Sequence, residues 1–146
     1  MTNILHTLVI SSAFTMMAHS TLAHTIEVKV NGIDTSRKGQ IMVMLFGKDG
    51  FPINHEKALK TIYLAPNQAT HNVRLSVPIS EFAIKVLHDE DNSRKTTKNW
   101  TGIVPAEGLG FSNGVTISWR GAPKFKDAKL TLSGLSNPVQ ITLRYP

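Results

Sequence analysis

Apolar and polar residues alternate with a period of two through much of the chain beyond residue 24, the mark of strands buried on one face. Ile26, Val28 and Val30 alternate with Glu27, Lys29 and Asn31 until Gly32 breaks the run, which predicts a first strand. After a polar turn from Asp34 to Gly39, the run Gln40 to Phe46 is apolar almost throughout and carries the β-branched Ile41 and Val43. Such a run suits a central strand covered on both faces. A helix-capable piece near Asn54 to Leu59 is too brief to stand alone. Strands are expected next over Thr61 to Leu64, His71 to Val77 and Glu81 to His88, divided by Pro66-Asn67-Gln68 and by Pro78. In the last of these Phe82, Ile84 and Val86 lie opposite Ala83, Lys85 and Leu87, so a buried strand delivers His88 and Asp89 to its rim. Val43 and Leu45 are expected to join that core. Met42 and Met44 also share a strand face; thioethers suit Cu(I), but uniformly apolar neighbours assign them to packing.

The pattern lapses from Asp89 to Pro123, where Gly, Asn, Ser, Thr and Pro dominate and only a short strand around Val115 to Trp119 is expected. A loop of that length has a function or is pinned by its own side chains. Two closing strands, Ala128 to Leu132 and Val139 to Tyr145, are joined by turn residues from Ser133 to Pro138. About seven strands with turns between them and no long helix predict an all-β fold, an antiparallel β-sandwich with one long loop.

The opening stretch, Met1 to Ala23, has no Lys, Arg, Asp or Glu and is strongly apolar from Ile4 to Ala18. It is short for a membrane span. Thr21-Leu22-Ala23 puts small residues where a signal peptidase reads, so residues 1–23 are expected to be a signal peptide and 24–146 a single mature domain beginning at His24. Only the α-amine and His6 supply positive charge at its start. Cys is absent from the 146 residues, which excludes disulfides, thiolate metal sites and Cys nucleophiles. Periplasmic or secreted export of a bacterial protein fits that composition better than a small disulfide scaffold. The net charge of +6 lies wholly beyond Ala23 and is scattered, as on a solvated surface. It favours weak association with anionic surfaces, and for an exported chain nucleic acid is not an expected partner.

Several blocks stand in a characteristic order: Lys38 to Phe46, Gly50-Phe51-Pro52, Phe82 to Asp91, Trp100 to Pro105, Glu107 to Asn113 with its Gly-Phe-Ser-Asn end, and Gly121 to Ala128 with Pro-x-Phe-x-Asp-Ala. Together they resemble a bacterial family of exported proteins, the domain of unknown function 2141, over nearly the whole of 24–146. The resemblance implies a sandwich similar to immunoglobulin or transthyretin-like modules. It implies no reaction.

The richest segment for chemistry is His88-Asp89-Glu90-Asp91-Asn92-Ser93-Arg94-Lys95-Thr96-Thr97. Oxygen side chains at Asp89, Asp91, Ser93 and Thr97 recur as a hard cation requires, which makes them candidate Ca²⁺ ligands. The resembling pattern reads His-Asp-x-Asn-x-Asn-Gly-Lys-x-Asp; here Ser93, Arg94 and Thr97 replace an Asn-like residue, a turn Gly and an acid. Arg94 and Lys95 add repulsion, and no bidentate Glu follows. The alternative is an Asx-type turn in which Asp89 and Asp91 bind nearby backbone amides.

Cleavage after Ala23 would place the α-amine and imidazole of His24 on one residue, the start of a copper-binding nitrogen brace needing His55, His71 or His88 as partner. Trp100, Phe111 and Trp119 offer either an aromatic rim or a folded cover, with Phe111 assigned to the cover. Glu107 beside the acidic segment could mimic paired glycosidase carboxylates, though no spacing fixes their separation. No Gly-x-Ser-x-Gly elbow, His-Glu-x-x-His or phosphate-cradling glycine motif is present. The expectation is therefore a non-enzymatic binding or structural module that presents the 89–113 loop, with His88, Trp100 and Glu107, to a protein, glycan or small ligand. The alternative is a copper-binding or redox protein built on His24.

Overall fold

The computed structural model describes residues 23–99, 101, 102 and 105–146. Trp100 and the expected signal peptide, save Ala23, lie outside the described residues. The strands are β1 (His24–Asn31), β2 (Gln40–Phe46), β3 (Lys60–Leu64), β4 (His71–Val77), β5 (Glu81–Asp89), β6 (Gly108–Phe111), β7 (Leu130–Thr131) and β8 (Val139–Thr142). They form two sheets, one ordered β4-β1-β8 and one ordered β3-β2-β5-β6 with β7 against the start of β5. The all-β sandwich stands. No described helix is long and apolar enough to cross a membrane.

One pair departs from the antiparallel expectation, for β8 runs parallel to β1 with Val30 opposite Ile141. The chain leaves β7 in the five-stranded sheet and reaches β8 in the other. Parallel neighbours arise from crossovers of this kind and not from hairpins.

Alternation on β1 and β4 places Val28, Val30, Val73 and Leu75 on the inner face of the smaller sheet. They meet Ile41, Val43, Leu45, Phe82, Ile84 and Val86 of the larger sheet, the core that the pattern predicts. β2 is buried on both faces, as its unbroken apolar run requires. On its outer face Met42, Met44 and Phe46 join Leu87, Leu109 and Phe111 in a second apolar layer. Phe51 caps this layer, its ring edge-on to Phe46, Phe111 and Phe125 at 5.7, 6.1 and 6.0 Å. Contacts of that geometry contribute about 0.5–1.5 kcal/mol each beyond buried area.

Two expectations for the long loop are corrected. Gly108–Phe111 is not loop but a strand buried along its length, paired to β5 with Leu109 opposite Leu87. Its glycines mask the alternation for a packing reason: a Cβ on Gly108 would lie 2.4 Å from the Tyr145 ring, and one on Gly110 would lie 2.8 Å from the Thr142 carbonyl oxygen. Residues 115–119 form no strand. There the backbone of Ser118 and Gly121 closes a tight turn with Trp119 at its tip. The closing strand expected over 128–132 shrinks to β7, because a single helical turn, Phe125–Ala128, precedes it.

Two of the blocks meet at one joint. Buried Ser112 accepts a hydrogen bond from the Ile84 amide (3.0 Å) and donates to the Ala128 carbonyl (2.5 Å), while the Asn113 amide donates to the Lys129 carbonyl (2.8 Å). The Gly-Phe-Ser-Asn and Pro-x-Phe-x-Asp-Ala segments therefore fasten β5, β6 and the helical turn together.

Candidate functional site

Successive residues of β5 point to opposite faces. His88 faces inward, and contrary to the expected rim position it is fully buried. Its Nε2 lies 2.8 Å from the Lys38 carbonyl and its Nδ1 2.7 Å from the Tyr145 hydroxyl. Only Nε2 can donate to a carbonyl, so Nδ1 is the acceptor of the tyrosine proton. His88 closes the end of the sandwich and is not presented to a partner.

Asp89, one residue on, opens a tight acidic turn and is also fully buried. Its Oδ1 accepts from the Ser93 amide (2.9 Å), and its Oδ2 from the Arg94 amide (2.9 Å) and the Gln40 side chain (3.0 Å). Asp91 accepts from the Ser93 amide (3.0 Å) and the Thr97 hydroxyl (2.7 Å). Glu107, 3% exposed, takes the Glu90 amide (3.0 Å) on one oxygen and the Thr97 amide (2.8 Å) on the other. Gly39 lets β2 enter beside the turn: at φ +94° a Cβ there would sit 2.0 Å from the Asp89 carbonyl oxygen.

The turn thus brings together three carboxylates, Asp89, Asp91 and Glu107, whose oxygens lie within 4.8 Å of one another. The hydroxyls of Ser93 and Thr97, expected as ligands, here donate hydrogen bonds, Ser93 to the Lys95 carbonyl and Thr97 to Asp91. Hard oxygen donors suit Ca²⁺, and these three carboxylates are the residues that would hold it. Hydrogen bonds from Ser93 and Thr97 lower the Asp91 carboxyl to about 2. Burial raises Glu107, against the pull of its two amides.

Lys85 points to the outer face of β5 and is 3% exposed. Its ammonium reaches the Pro52 carbonyl (3.0 Å), His55 Nε2 (2.7 Å) and the Thr96 hydroxyl (2.8 Å). His55 Nδ1 lies 2.9 Å from the Arg94 carbonyl. It must therefore carry the proton, leaving Nε2 to accept from Lys85. All three partners of the lysine are neutral. Burial lowers its amine to about 7, with the charge of Glu107 acting the other way. Burial, then the Lys85 charge, lowers His55 as well.

This lysine lines a cleft of about 810 Å³ between the outer face of the five-stranded sheet, the Pro52–Glu56 segment and the 93–98 segment. Met42, Leu109 and Phe111 supply apolar floor, while Arg94, Lys95 and Lys98 stand along the loop side. Arg94 leans toward Tyr63, 6.0 Å from its ring centre. Its φ of +59° is a left-handed backbone at the position where the resembling pattern has glycine.

The sequence offers Lys85 as no part of a site, and His55 only as a copper partner for His24. A signal is present: Phe82 to Leu87 is apolar on both faces apart from Lys85, and a lysine inside such a strand is a buried charge. The other expected residues do not converge. His24 opens β1 opposite Val77, whereas His71 stands opposite Val30 at the far end of the same strand pair. The ring nitrogens of His55 and His88 are both engaged. Phe111 is buried, as expected of a cover, and Trp119 is 86% exposed.

No curated protein and no solved structure matches the chain. The family profile described as an uncharacterized protein conserved in bacteria, DUF2141, matches residues 28–140, which takes in both sheets, the acidic turn and the cleft, and the chain belongs to that family.

Proposed function

We propose that the protein is an exported, non-enzymatic binding module that receives a small ligand in the cleft beside Lys85. The 89–98 loop serves as a wall of that cleft, so the reading moves the site from a loop tip to a cavity. One observation carries it: an apolar floor, a buried amine and a basic edge share a cleft of about 810 Å³, within the range of small-molecule sites. Export rests on the pattern of residues 1–23.

Nile red, neutral and brightened by apolar surroundings, tests the cavity. The dye is expected to bind the folded protein saturably, and Thr61→Trp, which fills the cleft from β3, is expected to abolish the signal. Equal binding by parent and variant rejects the cleft as the site. Mass spectrometry of the N-terminus in a periplasmic fraction tests export, and a chain retaining Met1 in the cytoplasm rejects it.

A second reading, Ca²⁺ support of the 89–97 turn, is favoured by the three gathered carboxylates. It expects a higher melting temperature in Ca²⁺ than in chelator for the parent and no such gap for a variant lacking Asp89 and Asp91 carboxylates. Identical parent melting curves in the two media reject it.

A further inference from the structure

Resting on the cleft reading above, we infer that the ligand is an acyl-chain carboxylate, its chain on the Met42, Leu109 and Phe111 floor and its carboxylate beside Lys85. The first support is an imbalance of charge. Lys85 is buried, yet every group within hydrogen-bond reach of its ammonium is neutral. A buried charge ordinarily has an ionic partner. Among the described residues Lys85 has none, and neither do Arg94, Lys95 and Lys98. The only acid among the described residues lining the cleft is Glu56. The neighbouring acids of the turn are held by amides and hydroxyls, and Glu107 acts on the amine only from beyond hydrogen-bond reach.

The second support is the floor. Met42, Leu109 and Phe111 belong to the outer apolar layer and come to the cleft without polar groups of their own. A bare inorganic anion would leave that surface unused, and a neutral hydrocarbon would leave the cations unmatched. A molecule with an apolar body and one anionic head satisfies both. The size of the cavity favours a free small amphiphile over a protein or a bilayer.

The site also has a place for the head. Of the three acceptors around the Lys85 ammonium, the Pro52 carbonyl and His55 belong to one wall and the Thr96 hydroxyl to the loop wall. A carboxylate arriving from the cleft replaces Thr96 as third acceptor and converts a neutral contact into a charge-assisted one. Bonds of that type are roughly twice as strong as neutral pairs.

The test is calorimetric titration of the full folded domain at pH 6, where the Lys85 amine is protonated, with decanoate, 1-decanol and decylammonium, which share a chain and differ in head charge. Decanoate is expected to bind roughly tenfold or more tightly than decanol, the worth of one charge-assisted hydrogen bond, and decylammonium more weakly still. Lys85→Met is expected to remove the preference for decanoate while leaving decanol affinity in place. Should that variant not fold, Lys95→Glu with Lys98→Glu, both at the surface, are expected to reduce the preference and make it less sensitive to salt. Equal affinity for decanoate and decanol overturns the carboxylate and leaves the cleft reading standing. Tighter binding of decylammonium also overturns it. Failure of all three to bind where Nile red does overturns the acyl ligand, and failure of Nile red as well overturns the cleft.

Discussion

The two ends of one short loop deal with buried charge in opposite ways. At Asp89 the chain surrounds a carboxylate with the amides of Ser93 and Arg94 and the Gln40 side chain, so the charge is solvated by the fold itself. At Lys85, held to the same loop through Thr96, an amine of similar burial has three neutral acceptors and no counter-ion. The acid is a finished piece of structure; the amine is energetically unfinished. That difference separates what holds the loop from what the loop is for, since a group left uncompensated in a cavity is one that a ligand can complete.

The largest effect that can break this comparison is pH dependence at Lys85. Its amine sits at about 7 in the fold against 10.5 when unfolded. Below pH 7 both states are protonated and the cost of burying the cation is felt in full. Between 7 and 10.5 only the unfolded state holds the proton, so stability contributed by this group rises with pH, and above 10.5 the cost is gone. The parent is therefore expected to gain about 4 kcal/mol relative to Lys85→Met from pH 7 to pH 10.5. Denaturant titrations of both proteins across that range measure it. Parallel curves would mean the cation is already compensated.

Next comes Asp89→Ala, which strands the Arg94 amide and the Gln40 side chain and leaves the Ser93 amide to Asp91 alone. Unsatisfied groups at a buried site cost about 1–3 kcal/mol each, and partial access of water to the turn holds the expected total near 3 kcal/mol. Urea unfolding at neutral pH reads this directly. A loss under about 1 kcal/mol would show that the turn does not depend on its carboxylate and would erase the contrast with Lys85.

A smaller change sharpens the contrast from the loop side. Arg94 holds a left-handed backbone at φ +59°, a conformation costing a non-glycine residue roughly 1–2 kcal/mol. Glycine removes that strain but adds entropy to the unfolded chain. Arg94→Gly is expected to stabilise by about 0.5–1 kcal/mol, measured by thermal unfolding, while removing one cation from the cleft. Stability and decanoate binding should move in opposite directions, as expected where a strained residue serves binding and not folding.

Much of this was legible in the chain, and the illegible parts have physical reasons. β2 and β4 can be read to the residue, β2 from its unbroken apolar run and β4 from its clean alternation. The acidic turn could be read as an Asx-type arrangement, which its hydrogen bonds display. β6 was hidden because Gly108 and Gly110 give way to Tyr145 and to β8, so the residues that make the strand possible erase its alternation. Glu107 and His88 read as presented because polarity along the chain does not separate a solvated group from a buried, bonded one. Each is buried against partners more than fifty or nearly twenty positions distant in sequence, contacts that no local pattern carries. The same holds for Lys85.

The smallest effect is that of Trp119, set against Phe111, another aromatic residue that the sequence offers as rim or cover. Phe111 is 4% exposed and edge-on to Phe51, whereas Trp119 is 86% exposed at the tip of the Ser118–Gly121 turn with the Arg120 guanidinium 4.8 Å from its ring centre. Burial, and not ring size, sets what truncation removes. Phe111→Ala is expected to cost about 3–5 kcal/mol. Trp119→Ala should change stability by no more than about 0.5 kcal/mol, because almost none of its surface leaves water on folding. Thermal unfolding of the two variants side by side tests the pair. Trp119 lines a second, shallower cavity with Leu109 and Phe111, so the same two proteins should also be titrated with decanoate. An unchanged affinity in Trp119→Ala confines the ligand to the Lys85 side of the Leu109 and Phe111 wall. A loss of affinity at unchanged stability would place the chain's far end beneath the tryptophan, and the exposed ring would then be part of the cleft.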